Sequence, residues 1–231
     1  MKPKISIILS TYNEGYIIEE TLRSIFANLN DVEVVIVDDH STDGTPDIVK
    51  KFNDPRIKLF SRQNRGLASA FLLGLINTES NIIGWFDSNM PKLFQKIPLM
   101  IRELENNDLV ILSRYVPGGK DNRTNLRILS SKVINLICRL LLSNKIKDYT
   151  SSIFLMHRDV LKSGVPIAYG HGEFFIEFLY KIKRNGMKIY ELPYIQPPDA
   201  EGSKTASSIL RFFTLGLGYL TRIMIARFRR N

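Results

Sequence analysis

Between residues 5 and 112, short apolar runs alternate with segments of helical spacing, and this alternation restricts the fold more than any other feature of the chain. Residues 5–9, 32–37, 56–60, 82–86 and 108–112 read as strands. Residues 16–29 carry Ile17, Ile18, Leu22, Ile25, Phe26 and Leu29 on one helical face. A second helix starts at Thr45 and Pro46, where proline suits the first helical position and Asp47 follows. Helices are also predicted at 66–77 and 94–105. Strand, helix, strand repeated four times predicts an α/β domain with a mainly parallel central sheet flanked by helices. The rest is less regular: a helix over 125–142, a short strand over 153–156, a helix over 173–185 closed by Gly186, a strand over 187–194 and an amphipathic helix over 207–230.

In such sheets, ligands bind beyond the carboxyl ends of the strands. Polar clusters fall there: Thr11, Asn13 and Glu14 after the first strand, Asp38 to Asp43 after the second, Asp87 to Asn89 after the fourth. The 231 residues suffice for one domain with a small annex, divided here as 1–206 and 207–231. A single cysteine, Cys138, excludes an internal disulfide and a cysteine-built metal site. His40, His157 and His171 lack the close spacing of a zinc motif. The opening apolar run is too short for a secretory leader, and no stretch is long and uncharged enough to span a bilayer, so a cytoplasmic chain is expected.

The formal charge of +9 points to a polyanionic partner or simply to a basic surface. Part of the excess is local, since residues 210–230 hold five arginines and no acid. That tail reads either as a helix packed on the core or as one lying on an anionic membrane.

Asp38 and Asp39 end a run of valines and isoleucine, where a carboxylate can accept hydrogen bonds from a ribose or a base, or cap the next helix. Asp87, Ser88 and Asn89 put two oxygen donors one residue apart, a spacing that suits Mg2+ or Mn2+ completed by phosphate oxygens, and equally suits a solvated turn. Arg114, followed by Gly118, Gly119, Lys120, Arg123, Arg127, Ser130, Ser131 and Lys132, supplies guanidinium groups and a flexible turn for an anion. Only Tyr115 among them could stack on a base, so a compact phosphate site is expected there and no nucleic acid. Glycine-rich dinucleotide, P-loop and nucleophile-elbow motifs are all missing from the sequence, which disfavours dehydrogenase, kinase and hydrolase readings.

Together these residues resemble the family 2 glycosyltransferases, in particular the polyprenyl-phosphate branch that includes dolichol-phosphate mannose synthases. The carriers are the start from Ser10 to Glu14, the run from Val34 to Thr45, the segment from Asn64 to Ala70, the triplet Asp87 to Asn89, and the segment from Ser113 to Gly119. The loops from Asp148 to Ser152 and from Glu201 to Lys204 resemble branch motifs in part. The resemblance implies a GT-A-type nucleotide-diphospho-sugar transferase fold with a C-terminal amphipathic helix. It implies donor contacts from Thr11, Asn13, Glu14, Asp38, Asp39, Asn64, Gly66, Asp87, Ser88, Asn89 and Lys204, with Glu14 and Asp39 on the ribose or base. Asp87 and Asn89 would hold Mg2+ or Mn2+, with asparagine where the family carries aspartate and Pro91 where a further polar ligand is frequent. Arg114, Arg127 and Ser131 would bind the acceptor lipid's phosphate. Asp87, Arg114 and Arg127 thus form the expected catalytic set.

A phosphate monoester is already anionic near pH 7, its second pKa being ~6, and can attack the anomeric carbon unaided. An inverting transferase acting on dolichyl or undecaprenyl phosphate is therefore expected. It would sit on the cytoplasmic face of a membrane, through its own tail or a membrane-protein partner. Two alternatives stand beside it. One transfers sugar to a glycan hydroxyl in polysaccharide or cell-envelope assembly, with Asp148 or Glu173 as the base. The other, motivated by Asn89 and Pro91, binds a nucleotide sugar with impaired catalysis.

Overall fold

The computed structural model describes residues 4–63, 66–165, 172–199 and 209–229, the side chains of 209–215 excepted. The expected strands and helices are all present within a few residues of their expected ends. In chain order they are β1 (Ile5–Thr11), α1 (Ile18–Asn28), β2 (Val32–Asp38), α2 (Thr45–Phe52), β3 (Ile57–Ser61), α3 (Leu67–Ile76), β4 (Ile82–Asp87), α4 (Ile97–Leu104), β5 (Leu109–Ser113), β6 (Lys120–Asp121), α5 (Asn125–Leu141), β7 (Phe154–His157), α6 (Phe174–Arg184), β8 (Ile189–Pro193), β9 (Ile195–Gln196) and α7 (Ile209–Phe228). The helix expected over 94–105 divides into a 3-10 segment, Pro91–Lys96, and α4, because Pro98 sits where α-helical hydrogen bonding begins afresh. The pair β6–β9 was not foreseen; two-residue strands are too short for any periodicity to register.

Seven strands form one sheet in the order β3-β2-β1-β4-β7-β5-β8. Every pairing is parallel except those of β7, which runs antiparallel between β4 and β5. The exception positions the site. The chain leaves β5 at its carboxyl end, passes through α5 and enters β7 from that same end, with Phe154 level with Trp85 of β4. Residues 114–153 therefore stay with the carboxyl ends of β1, β2 and β4, where a crossover helix would have taken them to the opposite edge.

Both faces of the sheet are covered, which explains why its central strands read as unbroken apolar runs. Ile8, Val35 and Val37 face one core with Phe71, Trp85, Phe154 and Phe175. Their neighbours Ile7, Val34 and Ile36 face the other, with Leu22, Phe86 and Phe94. On the first face α3 lies so close to β1 that a Cβ on Gly74 would overlap Ile8.

The tail helix packs on the core along one side. Ile223 and Ala226 are buried, and Arg222 and Arg229 both donate at 3.0 Å to Glu177 of α6. Its other side exposes Leu217, Leu220, Met224 and Phe228. No helix among the described residues is long and apolar enough to cross a membrane.

Candidate active site

β1, β2 and β4 end side by side, with Thr11 paired to Asp38 and Ser10 to Asp87. Adjacent strands lie ~4.8 Å apart, so Asp38 and Asp87, two strands apart, are about 10 Å from each other. Asp38 is buried. It accepts hydrogen bonds from Thr11 Oγ1 at 2.8 Å, Ser41 N at 2.9 Å and Ser41 Oγ at 2.6 Å. Ser88 is buried too, its hydroxyl donating to Ser10 O and its carbonyl accepting from Thr21. Thr11, Asp38 and Ser88, the residues expected as donor contacts, are buried here with partners that hold the strand ends together, since a buried polar group needs its partners. Asn13, at φ 56°, accepts from Thr42 N through Oδ1, tying the first loop to the second. Asp39 accepts from Arg62 Nε at 2.5 Å and from Gly66 N at 3.0 Å. Asn64 and Lys204 lie outside the described residues.

Glu14, Tyr16, Asp87 and Asn89 form the remainder of this end. The Tyr16 hydroxyl stands beside the Glu14 and Asn89 side chains, and burial followed by the Glu14 charge raises its pKa. Glu14 Oε2 is buried without a hydrogen-bond partner. Burial, then the neighbouring Asp87 and Asp43 carboxylates, push Glu14 up to about 7 against the opposing Tyr16 hydrogen bond. Carboxyl groups crowded in this way suit a divalent cation, and Asp87 and Asn89 offer the hard oxygen atoms it prefers. No group of three or more histidine, cysteine, aspartate or glutamate side chains that could hold such an ion is found among the described residues. Tyr16, 69% exposed, was missed from sequence; its one signal was an aromatic side chain directly after the Asn-Glu-Gly turn.

Across the sheet end, Arg114 is sealed inside. Its backbone N and Nε donate to Asp148 Oδ2 at 3.0 and 2.8 Å, and its Nη2 donates to Asp148 Oδ1 and Thr150 Oγ1, each at 2.7 Å. The two side chains are 2% and 0% exposed. Burial alone would raise the Asp148 carboxyl, yet the Arg114 charge and its hydrogen bonds hold it below the ordinary range. Arg114, expected on the acceptor phosphate, and Asp148, expected as a possible base, are thus each other's partners in an enclosed ion pair. Gly119 permits the enclosure, because a Cβ there would stand 2.6 Å from Ser113 O.

Arg123 and Arg127 are less enclosed than Arg114, their side chains 13% and 22% exposed. Arg123 donates to Asp121 through Nε at 2.9 Å and Nη2 at 2.7 Å, and through Nη2 to Ser131 Oγ at 2.9 Å. Asp121 also accepts from the Tyr115 hydroxyl at 2.9 Å. Although burial opposes it, the Arg123 hydrogen bonds and charge lower Asp121 to about 2. Arg127 pairs with Asp199. Glu173 precedes α6, beside the α7 residue Tyr219, whose hydroxyl would lie 2.9 Å from a Cβ on Gly172. Burial and then Glu173 push Tyr219 up to about 12, against the pull of Arg114, Arg123 and Arg127. The tail helix therefore reaches this arginine cluster, which nothing in its sequence announced.

The two ends adjoin. Buried Tyr194 is raised above its ordinary value, first by burial, with Arg114 opposing and both Asp148 and Asp87 adding to the rise. One side chain thus lies within electrostatic reach of Asp87 on the first side and Arg114 on the second.

The model of glycosyl transferase family 2 matches residues 6–164. The chain belongs to that family. It is 31% identical over 203 residues to a dolichol-phosphate mannosyltransferase of Pyrococcus furiosus, covering 83% of this chain and 56% of the relative. It is 27% identical over 200 residues to an undecaprenyl-phosphate mannosyltransferase of Micrococcus luteus, covering 82% of each. The chain thus spans little more than half the length of the first relative. Among solved structures, glucosyl-3-phosphoglycerate synthase from Mycobacterium tuberculosis with UDP superimposes with a TM-score of 0.75 at 18% identity, covering 99% of this chain and 82% of that one. A Pyrobaculum calidifontis mannosyltransferase with GDP-Man and Mn2+ gives 0.65 at 19% identity, covering 100% and 66%. At such identities these structures speak for the fold, an α/β glycosyltransferase architecture with a mostly parallel central sheet.

Proposed function

We propose that this chain moves a sugar from a nucleotide-diphosphate sugar to a polyprenyl phosphate, with inversion at the anomeric carbon. The observation that carries this reading is that the segment of Tyr194 and Gln196 touches both ends: Tyr194 N donates to Ser113 O beside Arg114, and the Gln196 amide reaches Met90 beside Asn89. Glu14, Tyr16 and Asp39 border the donor, and Asp87 with Asn89 would hold Mg2+ or Mn2+ there. That cation, when bound, stabilises the charge developing on the departing diphosphate. Arg123, Arg127 and Ser131 hold the acceptor phosphate, and Arg114 acts behind them by fixing the Asp148 loop. The acceptor oxygen is already charged at neutral pH, so no carboxylate need take a proton from it.

An apolar face beside the arginines supports a lipid acceptor. On α5, Leu126, Leu129, Val133, Leu136 and Leu140 are exposed at intervals of three and four residues, forming one stripe. The helix has no acidic residue, and Arg127, Lys132 and Arg139 accompany the stripe. The exposed side of α7 repeats this chemistry. Apolar side chains edged by cations suit the surface of an anionic bilayer, where α5 would bring Arg127 and Ser131 to headgroup depth. The hydroxyl-acceptor alternative is left with Glu173 as its base, since Asp148 is taken by Arg114. Incubation with labelled GDP-, UDP- or dTDP-sugars, Mn2+ and polyprenyl phosphate in vesicles tests the proposal. Label should move into the lipid phase; label that stays in water with every donor refutes it.

A further inference from the structure

The more accessible of the acceptor-end ion pairs is made with an acid of the chain itself. Asp199 Oδ1 accepts from Arg127 Nη1, and its Oδ2 accepts from Thr124 N at 3.1 Å, at the start of the 17-residue helix α5. One carboxylate therefore spans a guanidinium and a helix-terminal amide, the two kinds of donor that also hold a phosphate. The three acids of this end differ in how firmly they are held. Asp148 is fully enclosed, and Asp121 is 3% exposed and held by Tyr115 and Arg123 together. The Arg127 and Asp199 side chains are 22% and 15% exposed, and a partly hydrated pair costs less to separate than an interior one.

We propose that Asp199 is an internal surrogate for the acceptor's phosphate, filling the Arg127 grip until a dianionic phosphate monoester displaces it. The inference rests on the reading above, in which this grip receives a phosphate. Its consequence is selectivity. A dianion offers Arg127 and the α5 amide two charges against the single charge of Asp199, whereas a phosphodiester brings only one and gains little by the exchange. The surrogate thus favours monoesters over diesters at a site whose arginines alone would accept either.

Calorimetric titration of the full chain, with Mn2+ and nucleoside diphosphate present, tests this with farnesyl phosphate and its methyl diester as probes. Asp199→Asn keeps the shape and the Thr124 contact while removing the charge. It should bind farnesyl phosphate about five- to tenfold more tightly and discriminate less against the diester, the scale expected for a partly exposed charge pair. In an Arg127→Gln background the gain from the same substitution should shrink to about twofold or less, which separates competition for Arg127 from a general disturbance of the loop. Equal or weaker binding by Asp199→Asn, with the wild type binding normally, overturns the inference and leaves the proposed function standing. If the wild type binds no prenyl phosphate yet glycosylates a phosphate-free glycan, the function itself is wrong and the surrogate falls with it.

Discussion

The proposed donor end and the proposed acceptor end of the site are both charged, but they dispose of that charge in opposite ways. Around β1, β2 and β4, Asp38 is satisfied by neighbouring hydroxyl and N–H groups, while Glu14 keeps an unpartnered buried oxygen close to Asp87. Around α5, three arginines meet three aspartates: Arg114 with Asp148, Arg123 with Asp121, Arg127 with Asp199. The first end has carboxyl groups that a cation from outside would stabilise. The second carries its own countercharges, so an incoming anion must exchange with one of them. Asymmetry of this kind suits a reaction in which one substrate arrives with a metal and the other with negative charge.

The largest expected effect tests how rigid the acceptor end is. Asp148→Asn leaves the Arg114 charge buried without its counterion and should destabilise the fold by about 3–5 kcal/mol. Urea denaturation measures it. A loss of activity at unchanged stability would instead return Asp148 to the role of a base. Second in size, Asp87→Asn removes the only carboxylate of the Asp87–Asn89 pair and should lower kcat by about 10²- to 10³-fold, with weaker Mn2+ binding in the presence of nucleotide. A metal affinity equal to wild type would move the cation elsewhere and break the contrast between the ends.

The two ends were also unequally legible from sequence. At the proposed donor end the motif residues come together as expected, because strand ends in a parallel sheet converge whatever their side chains do. They do not tell what each side chain holds: Thr11, Asp38 and Ser88 bear the family-like pattern and also tie the strand ends and loops together. Sequence spacing cannot tell a carboxylate that meets a ligand from one that meets a backbone N–H, since both belong beside a turn. At the acceptor end Arg114 and Asp148 were both noticed and set apart as clamp and base. Their pairing over 34 positions depends on β7 running antiparallel, a feature of topology with no local signature. The stripe on α5 was readable in principle from its period, yet exposure distinguishes it from a core stripe only once its neighbours are known.

That stripe supplies the third test, which separates membrane contact from chemistry. Leu129→Glu with Leu136→Glu places two charges on a face that already points to solvent, at 61% and 53% exposure. Thermal stability should hardly change, since no buried surface is lost. Sedimentation with anionic vesicles should fall about tenfold or more, on the scale of burying a leucine side chain per site. Unaltered sedimentation would assign membrane contact to α7 alone.

The smallest effect probes the donor end from within. Glu14 ionises near 4.5 when unperturbed and at about 7 in the fold. Between these values the folded chain keeps a proton that the unfolded chain has released. The stability tied to this group is therefore complete below pH 4.5 and is lost as pH rises through 7. Glu14→Gln cannot ionise and escapes the loss. At pH 4 wild type and variant should be equally stable; at pH 8 the variant should be ahead by on the order of 1–2 kcal/mol, a figure reduced for solvent screening because Glu14 is partly exposed. Adding Mn2+ and nucleoside diphosphate at pH 8 should narrow the gap, because a cation beside Asp87 favours the ionised form of Glu14 that burial penalises. A wild type already as stable as Glu14→Gln in metal-free buffer at pH 8 would mean that the protein compensates this carboxyl internally. The donor end would then resemble the acceptor end, and the contrast between them would be gone.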